Sequence, residues 1–354
     1  VILESTQAGL YCSLGGFYID PSRPVERAVV SHAHTDHARW GCRHYLAAKP
    51  SEHLLRMRMN DDAEFEFLEY GESISIGGVK VSFHPAGHML GSAQIRLEYR
   101  GRVEVVTGDY KLGEDPTCES WEPIRCHLLV TESTFGLPVY RWRPESETTS
   151  AINEWWRQNR DEGKCSVIYG YAVGKSQRLL ASLDAGIGPI YTHGAVEKGT
   201  EAYRQSGVAM PSTTYVGSIE GKHDWQGGMV VAVPSAHGTP WMRRFGRIST
   251  AMASGWMAIR GARRRRSVDR GFVVSDHVDW PSLLKAVELC DPETVWVTHG
   301  YSAVVARYLN EQGRNAEVLE RADRGEDEDE AIAGVPDAES DVSAGATDEG
   351  RSEP

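Results

Sequence analysis

The stretch VVSHAHTDHARW, Val29 to Trp40, places three histidines and an aspartate within positions 32 to 37. The two-residue spacing of His32 and His34 is wrong for one helix face, where neighbours lie three or four residues apart. It suits a tight loop leaving the strand-like RAVV, with both imidazoles converging on one ion. Asp36 and His37 then point elsewhere, towards a second ion. Nitrogen and carboxylate donors without thiolate suit zinc, with manganese as a substitute. Four further residues stand where such a site needs them: Asp20 ending FYID, His88 in PAGHMLGS, Asp109 ending VEVVTGD and His299 ending TVWVTH. Each lies at a strand–loop junction and faces the same sheet edge if the strands align. His44, His53, His84, His127, His193 and His223 read as structural or solvated.

The chain of 354 residues is long enough for one large or two ordinary domains. No run approaches the ~20 apolar residues of a membrane span, and the first residues lack a basic region followed by an apolar one. The expectation is a cytoplasmic protein with no membrane partner. Six scattered cysteines without a C-x-x-C pair read as a reduced, mostly buried set. The net charge of −12 is unevenly spread: residues 321–354 hold twelve acids against three arginines, leaving −3 for residues 1–320. With no aromatic and no hydrophobic periodicity, that acidic tail is expected to be disordered.

Short apolar runs separated by turn signals dominate the first part of the chain, with the RG and GG pairs as hairpin turns. From about Arg143 the character changes. Candidate helices at Thr149–Asp161, Gly174–Ala185 and Val196–Gln205 alternate with the strand-like CSVIYGYAV, GPIYTHG and GMVVAVP, the pattern of a parallel α/β unit. From Arg270 the first character returns, with GFVVS, WPSLLKAVELC, TVWVTHG and SAVVARYLNEQG. The expected organisation is a β-rich domain in two pieces, 1–142 and 263–320, interrupted by an α/β domain at 143–262 and followed by the tail at 321–354.

HAHTDH, then GH before a small-residue loop, TGDY and THG, in that order, resemble the metallo-β-lactamase superfamily. The resemblance implies an α/β fold, an αββα sandwich with metals along the edge between its sheets. Glu132 in TESTFG, the insertion that follows, and His277 in VVSDHVDW resemble the β-CASP nuclease branch, whose cap domain the insertion would be. VGKSQRLL, SGWM, the arginine run and DRGFVVSDHVDWPSLL resemble the ligase-associated DNA exonucleases within it. The resemblance spans about residues 8–318.

It implies a two-metal phosphodiesterase, with DNA as favoured substrate and an ATP-dependent DNA ligase and a helicase as partners in DNA repair. His32, His34 and His88 would hold one divalent ion. Asp36, His37 and His299 would hold the other, with Asp109 bridging and Asp20 orienting the histidine loop. His277 would contact the scissile phosphate and protonate the leaving group, Glu132 would hold His277, and Asp36 joins them as a catalytic candidate. One residue points the other way: histidine at position 299 accompanies RNA-cleaving members, so an RNA-processing nuclease is the alternative. Hydrolysis of a small thioester or lactam needs neither the insertion nor the arginines, and a binding-only module would not need the full donor set.

Nine arginines stand between Arg243 and Arg270 against one acid, Asp269. Arg243, Arg244, Arg260, Arg263, Arg264, Arg265 and Arg266 are candidate phosphate contacts, since guanidinium binds phosphate bidentately. Trp241, Phe245 and Trp256 lie among them and could stack on bases. Lys175, opening a helix, is a further candidate.

Overall fold

A computed structural model describes residues 1–59, 62–259 and 267–319. The expected tail and the arginines at 260, 263, 264, 265 and 266 lie outside these residues. No helix among those described is long and apolar enough to cross a membrane.

The first sheet runs in chain order: β1 (Glu4–Thr6), β2 (Gly9–Cys12), β3 (Phe17–Ile19), β4 (Arg27–Val29), β5 (His44–Ala48) and β6 (Glu64–Leu68). The second contains β7 (Ser73–Ile76), β8 (Val79–Pro85), β9 (Ala93–Tyr99), β10 (Arg102–Val106), β11 (Leu128–Glu132), β18 (Thr294–Thr298) and β19 (Ala316–Val318), in the order β19-β18-β11-β10-β9-β8-β7. Two-residue turns join β7 to β8 through Gly77–Gly78 and β9 to β10 through Arg100–Gly101, all four residues at positive φ, the backbone that matches strand twist.

Alternation in the sequence decides which face is buried. Val79, Val81 and Phe83 of β8, and Ala93, Ile95 and Leu97 of β9, are fully buried and meet Leu10, Phe17, Ile19 and Val29 of the first sheet in one core. Each large side chain so buried contributes about 1.5–3 kcal/mol. The outer face of the second sheet packs on helices Trp280–Cys290 and Ser302–Glu311. That of the first packs on helix Glu52–Arg58 and on Ala202 and Tyr203 of helix Gly194–Gln205.

The third sheet is parallel throughout: β12 (Cys165–Tyr169), β13 (Ile190–Thr192), β14 (Thr214–Tyr215), β15 (Met229–Ala232), β16 (Ile248–Ala253) and β17 (Arg270–Phe272), in the order β14-β13-β15-β12-β16-β17. β12 and β15 are buried at every position, as central parallel strands require. Arg270–Phe272, expected with the returning β-rich piece, pairs instead with β16 as an edge strand of this sheet. A three-residue strand carries no sign of which sheet it will join; pairing decides.

The helices depart from expectation at their ends. The first starts at Glu145 rather than Thr149, because Glu145 and Glu147 supply negative charge to its first turn and Pro144 precedes it. The second spans Lys175–Ser182; Leu183 is extended, and Asn153 Oδ1 accepts the Asp184 N–H at 3.0 Å. The third begins at Gly194, where His193 Nδ1 accepts the Ala195 N–H. All six cysteines are free, five of them buried.

Arg178 ties the third-sheet unit to the second sheet. Its guanidinium bonds Glu145, donates to the Ser275 carbonyl at 2.9 Å and lies 3.4 Å from Asp115 in a loop of the second sheet. Arg178 and Asp115 are both almost fully buried, so removing one leaves a buried charge uncompensated. Arg178→Met is expected to cost about 3–5 kcal/mol, read as a large fall in the thermal unfolding midpoint; a midpoint shift of a degree or less would contradict this.

Candidate metal centre

Strand direction gathers the site. β10, β11 and β18 are parallel, and β8 runs the same way because β9 is antiparallel to both neighbours. His88, Asp109, Glu132 and His299 therefore emerge at or just beyond carboxyl ends along one edge. β3 and β4 are likewise parallel, and Asp20 and Ser31 follow their ends. Open α/β sheets place their ligand sites outside such ends.

One donor atom from each of His32, His34, His88 and Asp109 lies within 4.8 Å of the others. Hydrogen bonds to groups that can only accept fix where the ring protons are. The His34 ring gives its Nε2–H to the Val173 carbonyl at 3.0 Å, leaving a lone pair at Nδ1. His88 gives its Nδ1–H to the Asp276 carbonyl at 2.9 Å, leaving a lone pair at Nε2. Ser31 Oγ donates to Asp20 Oδ2 at 2.6 Å and so accepts from His32 Nδ1 at 3.0 Å. His32 Nε2 is then buried without a hydrogen bond among the described residues, 3.5 Å from Asp109 Oδ2.

Three imidazole lone pairs and a carboxylate converge with no proton between them. His88 Nε2 and His34 Nδ1 are only 3.2 Å apart. That donor set fits a divalent cation, and zinc in its chemistry. The electrostatics agree. Burial and neighbouring His37 hold His32 well below the ordinary imidazole range, and burial and His277 bring His88 down to about 3, the neutral form that metal binding by an imidazole requires. Burial would push the Asp109 carboxyl up, but His37 and His277 outweigh it and hold it well down, as a carboxylate.

Beside this set, His37 Nδ1 donates to Asp20 Oδ2 at 2.8 Å, which turns Nε2 towards Asp36 at 3.5 Å and Asp109 at 3.4 Å. Burial would lower its pKa, yet Asp109, Asp36 and Asp20 hold it well above the ordinary range: the acids draw a positive charge to this point. The His299 ring lies 5.8 Å from that of His37, on backbone at φ 58. At Gly300, also at φ 58, a Cβ would meet the Ser133 carbonyl oxygen at 2.5 Å, so the turn that presents His299 requires glycine. Among the described residues, the Asp36–His37–His299 group does not close as tightly as the first.

Glu132 and His277 form a buried pair, His277 Nδ1 lying 3.0 Å from both carboxylate oxygens. Glu132 Oε1 also accepts the Tyr110 N–H at 3.0 Å. Burial raises the Glu132 carboxyl although His277 opposes it. The His277 ring is 4.7 Å from that of His88.

Lys175 is not at the surface. It is 2% exposed, with Nζ 3.1 Å from Asp276 Oδ1, so its charge is already engaged inside the protein. Arg243 and Arg244 sit exposed in the short helix Pro240–Phe245, and Arg244 stacks over Trp241 at 5.7 Å. Phe245 is buried, and Trp241 and Trp256 are partly so. Ser31, Asp276 and the Val173 carbonyl escaped the reading of the sequence. Ser31 and Asp276 immediately precede His32 and His277, and that adjacency was their only signal.

The chain matches no profile of a known protein family. A probable DNA ligase of Opitutus terrae is 32% identical over 312 residues, 87% of this chain and 30% of that protein. Cleavage and polyadenylation specificity factor subunit 3 of Dictyostelium discoideum is 34% identical over 125 residues, 34% of this chain and 16% of that one. An RNase J-like protein of Methanocaldococcus jannaschii is 26% identical over 211 residues, covering 51% of this chain and 50% of that one. The chain thus spans less than a third of the first two relatives and half of the third. A crystal structure of a protein of unknown function from Enterococcus faecalis shares the fold, with a TM-score of 0.57, 12% identity, and 84% and 80% of the two chains covered. The names of these relatives refer to DNA ligation, to cleavage and polyadenylation, and to RNase J.

Asp20 touches both the Ser31 hydroxyl and His37, and outer partners of this kind are typically worth 10–100-fold in metal affinity. Asp20→Asn is expected to weaken zinc binding by about that factor, measured by competition with a chromophoric chelator. Unchanged affinity would mean that the loop holds its own geometry.

Proposed function

We propose that this protein is a metal-dependent phosphodiesterase acting on DNA, most specifically an exonuclease trimming ends for a ligase and helicase repair system. The observation that carries the nuclease reading is the convergence of ring nitrogens of His32, His34 and His88 on Asp109 beside the Glu132–His277 pair. The 312-residue match to a protein named as a probable DNA ligase supports DNA. Names referring to cleavage and polyadenylation and to RNase J, together with His299, support the second reading, RNA processing. In either case the domain holding the metals is built from the first two sheets, and the third sheet with its helices is the β-CASP insertion.

Two divalent ions, zinc by preference or manganese, would be held by His32, His34 and His88 and by Asp36, His37 and His299, with Asp109 between them. When bound, such a pair supplies a nucleophile at neutral pH and neutralises phosphate charge. The chain's own residues do the rest. Asp20 orients His37 and, through Ser31, His32. Glu132 accepts a hydrogen bond from His277 Nδ1–H, which orients the ring and steadies its positive charge once Nε2 is also protonated, the form that can deliver a proton to a leaving oxygen. Arg243 and Arg244 would meet the phosphate backbone away from the reacting bond.

His277→Ala is expected to lower turnover about 10²–10⁴-fold with bound metal unchanged; loss of the metal would make His277 a ligand instead. The substrate is decided by incubating the protein and an Asp36→Ala, His37→Ala double variant with zinc or manganese and end-labelled DNA and RNA, single- and double-stranded. Stepwise shortening of DNA, absent in the variant, is the expected result and its label gives the polarity. Cleavage confined to RNA would replace the first reading with the second.

A further inference from the structure

The metal-type histidines lie in loops of the first two sheets, yet two of them take their ring protonation from elsewhere. The carbonyl that accepts from His34 belongs to Val173, in the segment after β12 of the third sheet. The carbonyl that accepts from His88 belongs to Asp276, just after β17 of that sheet. Lys175, two residues beyond Val173, closes the loop between them: its ammonium is 3.1 Å from Asp276 Oδ1 and 4.3 Å from the centre of the Tyr171 ring.

Lys175 and Asp276 are each 2% exposed. A buried ion pair is costly to desolvate and costlier still to break, so the two segments are held in a fixed relation. Gly174 sits between Val173 and Lys175 at φ +94, and a Cβ there would lie 3.6 Å from both Asp276 Oδ2 and His34 Nε2. The backbone thus approaches the histidine loop and the Asp276 carboxylate together.

We infer that Lys175 is a positioning residue for the metal centre, and that seating of the third-sheet unit and loading of metal on His34 and His88 are thermodynamically linked. Through its pair with Asp276, Lys175 keeps both accepting carbonyls in register, so each ring presents a lone pair inward. By reciprocity, an ion drawn to those lone pairs tightens the Val173–Lys175 segment, although that segment supplies no ligand. The inference rests on the metal reading given above.

Two measurements test it on the full chain stripped by chelator. In the first, hydrogen exchange of the wild-type protein is followed with and without zinc. Exchange over residues 171–182 is expected to slow more than over Glu64–Leu68, alongside protection of residues 31–38. Zinc protection of 31–38 with 171–182 unchanged overturns the linkage and leaves the metal reading standing. If no zinc binds at all, the metal reading fails and this inference with it. In the second, zinc affinity of Lys175→Met is measured by chelator competition. A loss of about 10–100-fold is expected, the range for outer-partner changes, with largely native circular dichroism. Removing both charges in Lys175→Met, Asp276→Asn recovers part of the loss, since the Asp276 carbonyl remains for His88. A folded Lys175→Met with wild-type affinity overturns the positioning role. Should that variant not fold, the wild-type exchange result decides alone.

Discussion

A buried carboxylate ringed by imidazole nitrogens is the constraint from which the rest of this structure follows. Asp109 Oδ2 lies 3.5 Å from His32, 3.4 Å from His37 and 4.0 Å from His88. Burying such groups without compensation is expensive, and the fold tolerates it only by fixing every outer atom of every ring. Ser31 and Asp20 hold two rings, and the Val173 and Asp276 carbonyls hold the other two. The inward nitrogens are left converging on Asp109. The loops can be held so tightly because each begins where a strand of a well-packed sheet ends.

The donors themselves were legible in the sequence because their signal is local: crowding within HAHTDH, and histidine or aspartate repeated just after apolar runs. The residues that orient them were not. Val173 and Asp276 act through main-chain carbonyls, which every residue possesses, and their partners lie 139 and 188 positions away. Lys175 departs from its expected place for a physical reason. A lysine opening a helix ordinarily faces solvent or a phosphate, and only the tertiary contact with Asp276 turns it inward.

The same division runs through the fold. Hairpins at Gly77–Gly78 and Arg100–Gly101 follow from backbone chemistry and stand where the sequence puts them. Helix starts moved where a side chain other than the expected one meets the first turn, Glu145 instead of Thr149 and His193 ahead of Gly194. The sheet to which Arg270–Phe272 belongs depended on pairing alone.

The position of the third-sheet unit within the chain also sets an order of assembly. Leu128–Glu132 pairs along its whole length with Thr294–Thr298, and everything between those strands is synthesised first. On a ribosome delivering about 5–20 residues each second, the edge of the second sheet stands open for many seconds, presenting Leu128, Leu129 and Val130 with half their backbone partners missing. An unpaired apolar edge invites pairing with a neighbouring chain. The helix Gly194–Gln205, emerging early and packing Tyr203 against the first sheet, gives the nascent chain something to close upon while it waits.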